Sequence, residues 1–381
     1  MRNAPVLIRS VLALATSLML VLPGLARAQA GRATLVARAI LPAATLADGL
    51  RAGQSLPHKT VNGLKLPFDT QPVGSVTAIT PGQYGGSWLV LTNGVFDTPQ
   101  NSSDYLLRIY TVEIDWRQAN GGGGNASVVD WVTLSDPAKK VSKNIANASA
   151  AGRPLSGADF NPVALRRTAD GSLWVAEASG PSLLHFNASG GLLDAPIGLG
   201  GGGTLQGMTG LPDGTSLLVA QRSGTKVTFR TFDTNSRALG SSVGSLTLTG
   251  GASTASGLTM INATTALIIE QDGKENKATR FKQIFLIDLG SGNAAPIVDL
   301  LNIADPNNIS TADVFNNPAN AFGVGQKFEF PFADISALYP VDAQTLMVVN
   351  NNNVPFGLGR STTQADDTEY IMVQLAQPLN P

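Results

Sequence analysis

The chain has 381 residues, no cysteine, and 26 Lys plus Arg against 27 Asp plus Glu, a formal net charge of −1. Without cysteine there is no disulfide framework and no thiol to carry a lipid. Without a basic excess there is no face to neutralise phosphates, which excludes nucleic acid as a partner.

The first element reads as an export leader. Arg2 and Arg9 are basic, Val11–Leu22 is a short apolar run, and Ala26, Ala28 and Ala30 offer small-residue cleavage positions. The run is too short to span a bilayer comfortably, and no later stretch replaces it, so the mature chain has no transmembrane segment. An uncleaved N-terminal anchor is the alternative reading. The expected division is residues 1–30 as signal peptide and 31–381 as one exported domain, bound for the periplasm, the cell envelope or the medium. Cleavage removes Arg2, Arg9 and Arg27 and no acid, leaving 23 basic against 27 acidic residues, a net of −4.

Beyond the leader the chain is built on a recurring unit of turn, apolar strand, polar loop and partner strand. ATLVARAIL, residues 33–41, is a lone early strand. TPGQYGGSWLVLTNGVF (80–96) pairs with YLLRIYTVEIDW (105–116). The same grammar returns around Asp170, Asp213, Asn262 and Asp342, the last copy ending in TEYIMVQLA (368–376). Four-stranded repeats of 40–50 residues are the pattern of a β-propeller. Two of the intervals are nearly double, which leaves room for further copies. The expected fold is all-β, a propeller of six blades with seven the alternative. ATLVARAIL would complete the last blade and close the ring so that no edge strand is left open. A β-sandwich fits the repeated grammar less well. The expected assembly is a monomer.

Several chemistries lack their residues. No GxSxG elbow occurs, and the two histidines, His58 and His185, do not supply zinc or haem ligation. His58 lies in a polar stretch that reads as a solvated loop, and His185 lies in the strand LLHF as a core or channel residue. The glycines at 198, 200 and 203 match GxGxxG without a βαβ context, so no nucleotide is expected. A metal, if held, would be hard and oxygen-bound, calcium above all. The basic group Lys274, Lys277, Arg280 and Lys282 beside Glu270 offers an anion site, against the plainer reading of a solvated loop face.

The segments GADFNPVAL, DGSLWVAEASGPSLLHFNASGGLL, GGTLQGMTGLPDGT, ALIIEQDGKENKATRFKQIFLIDL, FEFPFADISAL and LMVVNNNNVPFG occur in this order. The chain thereby resembles the phytase-like family, with esterase-like activity, in its exported bacterial branch. The resemblance implies acidic loops at one mouth of the propeller that bind Ca²⁺ and, through it, a phosphoester or ester. Asp159, Glu177, Glu270 and Asp272 are the implied metal ligands, with Asp97 a further candidate. Glu177 and Glu270 are the implied catalytic carboxylates, and Arg280, Lys282 and Asn351 the implied substrate contacts. The pattern is broken elsewhere: Asn161, Val163, Ala178, Gln206, Ser336 and Asn351 stand where the family carries acids. The expectation is a weak calcium site and a partly degenerate hydrolase, or a non-catalytic module binding an envelope partner. Asn350–Asn353 reads first as a turn, and second as a wall for a sugar or polyol.

Overall fold

A computed structural model describes residues 32–379. The expected leader lies outside them. Among the described residues no helix is long and apolar enough to cross a membrane.

The chain is all-β and propeller-like. The expected count of six blades is not confirmed: among the described residues three four-stranded antiparallel sheets stand alone, and two further four-stranded groups are joined by the parallel bridge of Ile40 with Asn125 into one larger sheet. The first runs Val76–Pro81, Ser87–Thr92, Arg108–Asp115 and Asn125–Thr133. The second is Pro162–Arg167, Leu173–Glu177, Ser182–Phe186 and Ile197–Gly198, and the third is Thr204–Gly210, Ser216–Ser223, Lys226–Asp233 and Ala238–Thr247. The fourth is Thr254–Met260, Thr265–Gln271, Lys282–Asp288 and Ala294–Asp299. The fifth is Asp334–Pro340, Thr345–Asn351, Thr368–Gln374 and, as its outer strand, Thr34–Leu41.

The long intervals are filled by packing segments rather than by sheets. Residues 134–161 lay Leu134, Val141, Ile145, Leu155 and Phe160 into the core between the first and second sheets. Residues 300–333 hold only two-residue strands and 3₁₀ turns, with Phe328, Phe330 and Phe332 buried beneath them. Chain length there supplies core volume, not strands.

Each second strand has an apolar centre, such as LWVA in LWVAE or LMVV in TLMVVNN, because blades on both sides cover it. The inner strands stand side by side in ring order, and the first meets the fifth to close the circle. Close approach there demands small residues: a Cβ on Gly207 would sit 2.8 Å from the Leu258 Cβ of the next blade.

The N-terminal strand closes the ring as its sequence suggests, pairing Thr34 with Gln374 through to Leu41 with Thr368. A buried ionic knot locks it. Arg38, 1 % exposed, donates from Nε and Nη2 to both oxygens of Glu369 at 3.0 and 2.9 Å. Arg360 grips the same carboxylate at 2.7 and 2.9 Å. Two guanidiniums hold Glu369 down to about 2, overcoming the burial that pushes it up.

Candidate functional site

The five inner strands carry a β-bulge near the same end, where the second strand leaves the sheet. Aligned by register, the residues at or beside the bulge are Thr77, Val163, Gln206, Ser256 and Ser336. They form a ring at the channel mouth without one charged side chain. Below it the inner strands enclose a cavity of about 70 Å³ lined by Ala78, Leu165, Met208, Leu258 and Leu338 among others. A bulge re-aims a side chain, and here the re-aimed groups join neighbouring blades. Gln206 Oε1 accepts from Thr254 Oγ1 at 2.9 Å and the Ala255 N–H at 3.2 Å. Ser256 Oγ donates to the Ile335 carbonyl, and Ser336 Oγ to the Val76 carbonyl, both at 2.5 Å. Val163 alone adds nothing polar.

At the register position beside the bulge the second strands carry Thr92, Glu177, Gln221, Glu270 and Asn350, all buried. They anchor backbone. Glu177 accepts the N–H groups of Ser179 and Gly180, each at 2.7 Å, and of Asn161 at 3.2 Å. Glu270 accepts the Thr249 N–H at 2.9 Å through Oε2, together with the Thr249 hydroxyl; its Oε1 is buried without a partner among the described residues. Asp159 takes the Ala146 N–H at 2.7 Å and the Ser156 N–H at 2.8 Å. Asp272 takes the N–H groups of Lys274, Arg280 and Phe281 at 3.1, 2.6 and 3.2 Å. Glu177, Asp159 and Asp272, so supplied with backbone donors, are already satisfied, whereas Glu270 is satisfied at Oε2 alone.

The four acids therefore occupy two places, Asp159 with Glu177 on the second blade and Glu270 with Asp272 on the fourth. Among the described residues no three His, Cys, Asp or Glu are grouped to hold a metal ion. Beside the second-blade pair lies a cavity of about 320 Å³ lined by Asp97, Lys143, Asp159, Asn161 and Ser179. Of the other expected residues, Arg280 is exposed and bonds the carbonyls of Lys277 and Thr279. Lys282 is fully buried, with Nζ 3.1 Å from both Asp272 Oδ1 and the Ala333 carbonyl. Asn351 turns its amide toward Asp334 Oδ2 at 3.5 Å. His185 is remote from Glu177 along its blade, stacked on Trp174 at 4.2 Å with Nδ1 2.7 Å from Asp194. His58 is exposed.

The sequence model of the family described as phytase-like, "esterase-like activity of phytase", matches residues 71–354. The chain belongs to the phytase-like family. No curated protein matches it. Among solved structures it is similar to an exo-β-1,3-galactanase from Phanerochaete chrysosporium, with 11% identity, TM-score 0.45 and coverage of 90% of this chain and 68% of that one. A protein from Lactobacillus plantarum gives 11% identity and TM-score 0.40 over 90% and 100% of the two chains. YCF48 from Cyanidioschyzon merolae gives 12% identity and TM-score 0.36 over 78% and 69%.

This phytase-like protein has one mouth carboxylate that sequence reasoning passed over. Asp334 opens the inner strand of the fifth blade, half-buried, and accepts from Gln271 Nε2 at 2.6 Å. Burial pushes its carboxyl up more strongly than Gln271 and Lys282 hold it down. The neighbouring Asp272 behaves oppositely: burial raises it, but the Arg280 and Lys274 N–H groups and Lys282 outweigh that and leave it lowered. Burial lowers the Lys282 ammonium against the pull of Asp272. Asp334 thus differs from the four expected acids in having amide rather than backbone partners. Its signal was the FADISAL motif itself, where it stands two residues before the bulged Ser336.

Proposed function

We propose that this protein is an exported phytase-like propeller in which an ancestral metal-assisted phosphoester- or ester-hydrolase centre has been partly dismantled. Family membership supports the hydrolase ancestry. One observation carries the loss: the bulge positions Thr77, Val163, Gln206, Ser256 and Ser336 supply no carboxylate, leaving Asp334 beside them, while Asp159, Glu177, Glu270 and Asp272 serve loop backbone. Metal-assisted phosphoryl or acyl transfer needs fixed negative charge to seat the ion and orient water. Remaining oxygen ligands bind calcium weakly, with a dissociation constant of roughly 10⁻⁴–10⁻³ M. The groups left for a small ester or phosphoester are Asp334, Asn351 and Gln271 at the fourth and fifth blades, with Glu177 and Glu270 as residual carboxylates and Lys282 and Arg280 as nearby cations.

The second reading is a non-catalytic module that presents the mouth to an envelope partner. It is favoured by the same use of the acids as loop anchors. Hydrolysis of p-nitrophenyl phosphate and p-nitrophenyl acetate, with and without 5 mM calcium, distinguishes the two. The dismantled-hydrolase reading expects slow turnover that Asp334→Asn lowers further. Robust turnover lost in Glu270→Gln would restore an intact enzyme; rates equal to buffer in wild type would leave the binding module.

A further inference from the structure

Away from the mouth, at the seam where the ring closes, lies a cavity of about 390 Å³. Its charged lining is Arg38, Arg360, Glu369, Asp366 and Asp367: two cations against three carboxyls. Its apolar walls include Ile40, Pro42, Phe315 and Pro318, and the exposed Val314 stands at its lip.

The two cations are not free to neutralise the aspartates. Both clamp Glu369, and their other guanidinium hydrogens go to Ser310, Asn317, Phe322 and Glu329. Phe315 also covers Arg38, with its ring centroid 4.3 Å from the guanidinium carbon. Asp366 is left with backbone N–H groups of Gly359 and Arg360 at 2.5 and 2.9 Å. Asp367 uses one oxygen, Oδ1, to accept the Ala43 N–H at 2.8 Å. Its Oδ2 has no hydrogen-bond partner among the described residues and is not sealed from the cavity. The pocket is one positive charge short.

We propose that this pocket binds a small organic cation, a primary ammonium on a short aliphatic body, with the ammonium donating to Asp367 Oδ2. The cavity volume suits a small molecule, and Ile40, Phe315 and the two prolines give its alkyl part an apolar wall. The site lies apart from the mouth and does not depend on any hydrolytic activity.

Proton linkage follows from the same count. Burial pushes Asp366 up to about 7 and Asp367 up to about 6, and the charges of Glu369, on both, and Glu275, on Asp366, add to the rise. Arg38 pulls Asp367 the other way. The empty pocket therefore balances its charge by holding a proton near neutrality. An arriving ammonium replaces that proton, which leaves to solvent, and no covalent bond changes.

The test is calorimetric titration of the full mature chain with butylamine, a cation at every pH used, at pH 8 and pH 5. Potassium chloride at equal ionic strength and 1-butanol serve as probes of charge alone and of alkyl surface alone. Binding is expected at pH 8 with little proton release, because both aspartates are already ionised there, and at pH 5 with release of up to one proton, the affinity weakening about tenfold per pH unit below 6. Potassium and butanol are expected not to compete at equal concentration. Asp367→Asn, which keeps the acceptor for Ala43, should lose binding at least tenfold. Val314→Lys, at a position 51 % exposed, places a tethered ammonium at the lip without touching the knot, and should lose it too. No heat at pH 8, equal binding of potassium, or unchanged affinity in Val314→Lys would each overturn the proposal.

Discussion

The mouth and the seam handle buried carboxylates in opposite ways. At the mouth, Glu177, Asp159 and Asp272 are met mainly by backbone N–H groups from their own loops. At the seam, Glu369 is met by two guanidiniums from residues far apart in the chain. Backbone donors are local and carry no net charge, so they shape a loop and leave little acceptor capacity for an ion. Guanidiniums tie distant segments together, and their loss leaves formal charge stranded in the core. The same side chain is therefore a loop brace in one place and a ring fastener in the other.

The sharpest way to break this contrast is Glu369→Gln. Removing the shared anion leaves Arg38 and Arg360 buried without a counter-charge, and should cost about 3–5 kcal/mol in urea denaturation. A loss under about 1 kcal/mol would mean that the carbonyl partners of the two arginines suffice.

Acid titration separates the two kinds of seam carboxyl. Glu369 is lowered to about 2, so its contribution is present above its ordinary value near 4.5 and is lost as pH falls toward 2. Asp366 and Asp367 are raised, so the folded state holds more protons than the unfolded one between about 4 and 7, and stability declines as pH rises through that window. Maximum stability should fall near pH 4.5, and Asp366→Asn should flatten the decline above it. A midpoint rising steadily from pH 5 to 8 would contradict the raised values.

Glu177→Gln is the corresponding change at the mouth. It keeps the shape but weakens three N–H contacts, and should cost about 1–3 kcal/mol with increased hydrogen exchange confined to residues 177–181. Smallest of all is calcium. Micromolar calcium should not move the melting temperature, and 5 mM should stabilise by about 1–2 kcal/mol at most, because Glu177, Asp159 and Asp272 are already engaged by backbone N–H groups. A large shift at micromolar calcium would show the mouth loops reorganising around an ion.

Much of this arrangement could be read from residues alone. Turn dipeptides followed by runs such as LWVAE and TLMVVNN marked the second strands of the sheets, and ATLVARAIL found its place beside TEYIMVQLA. The number of sheets could not, because residues 300–333 have the length of a blade but fold as an aromatic plug. Within the site, side-chain direction was the obstacle. In a strand, adjacent residues face opposite ways. Glu270 reaches the Thr249 loop whereas Gln271, one position on, reaches Asp334 and the fifth blade. Which of the two looks into the mouth depends on a bulge that leaves no mark in the sequence.

Fastening the ring with its first strand has a kinetic consequence. Thr34 can find Gln374 only when almost the entire chain is available, so the last blade is the entry of highest contact order in the molecule. The first four sheets are each built from neighbouring segments and can form as the chain is supplied. The fifth must wait, with Arg38 and Glu369 unpaired until the two ends meet. Whatever delays the meeting of the two ends delays this blade alone, and the architecture keeps its final stitch for the end.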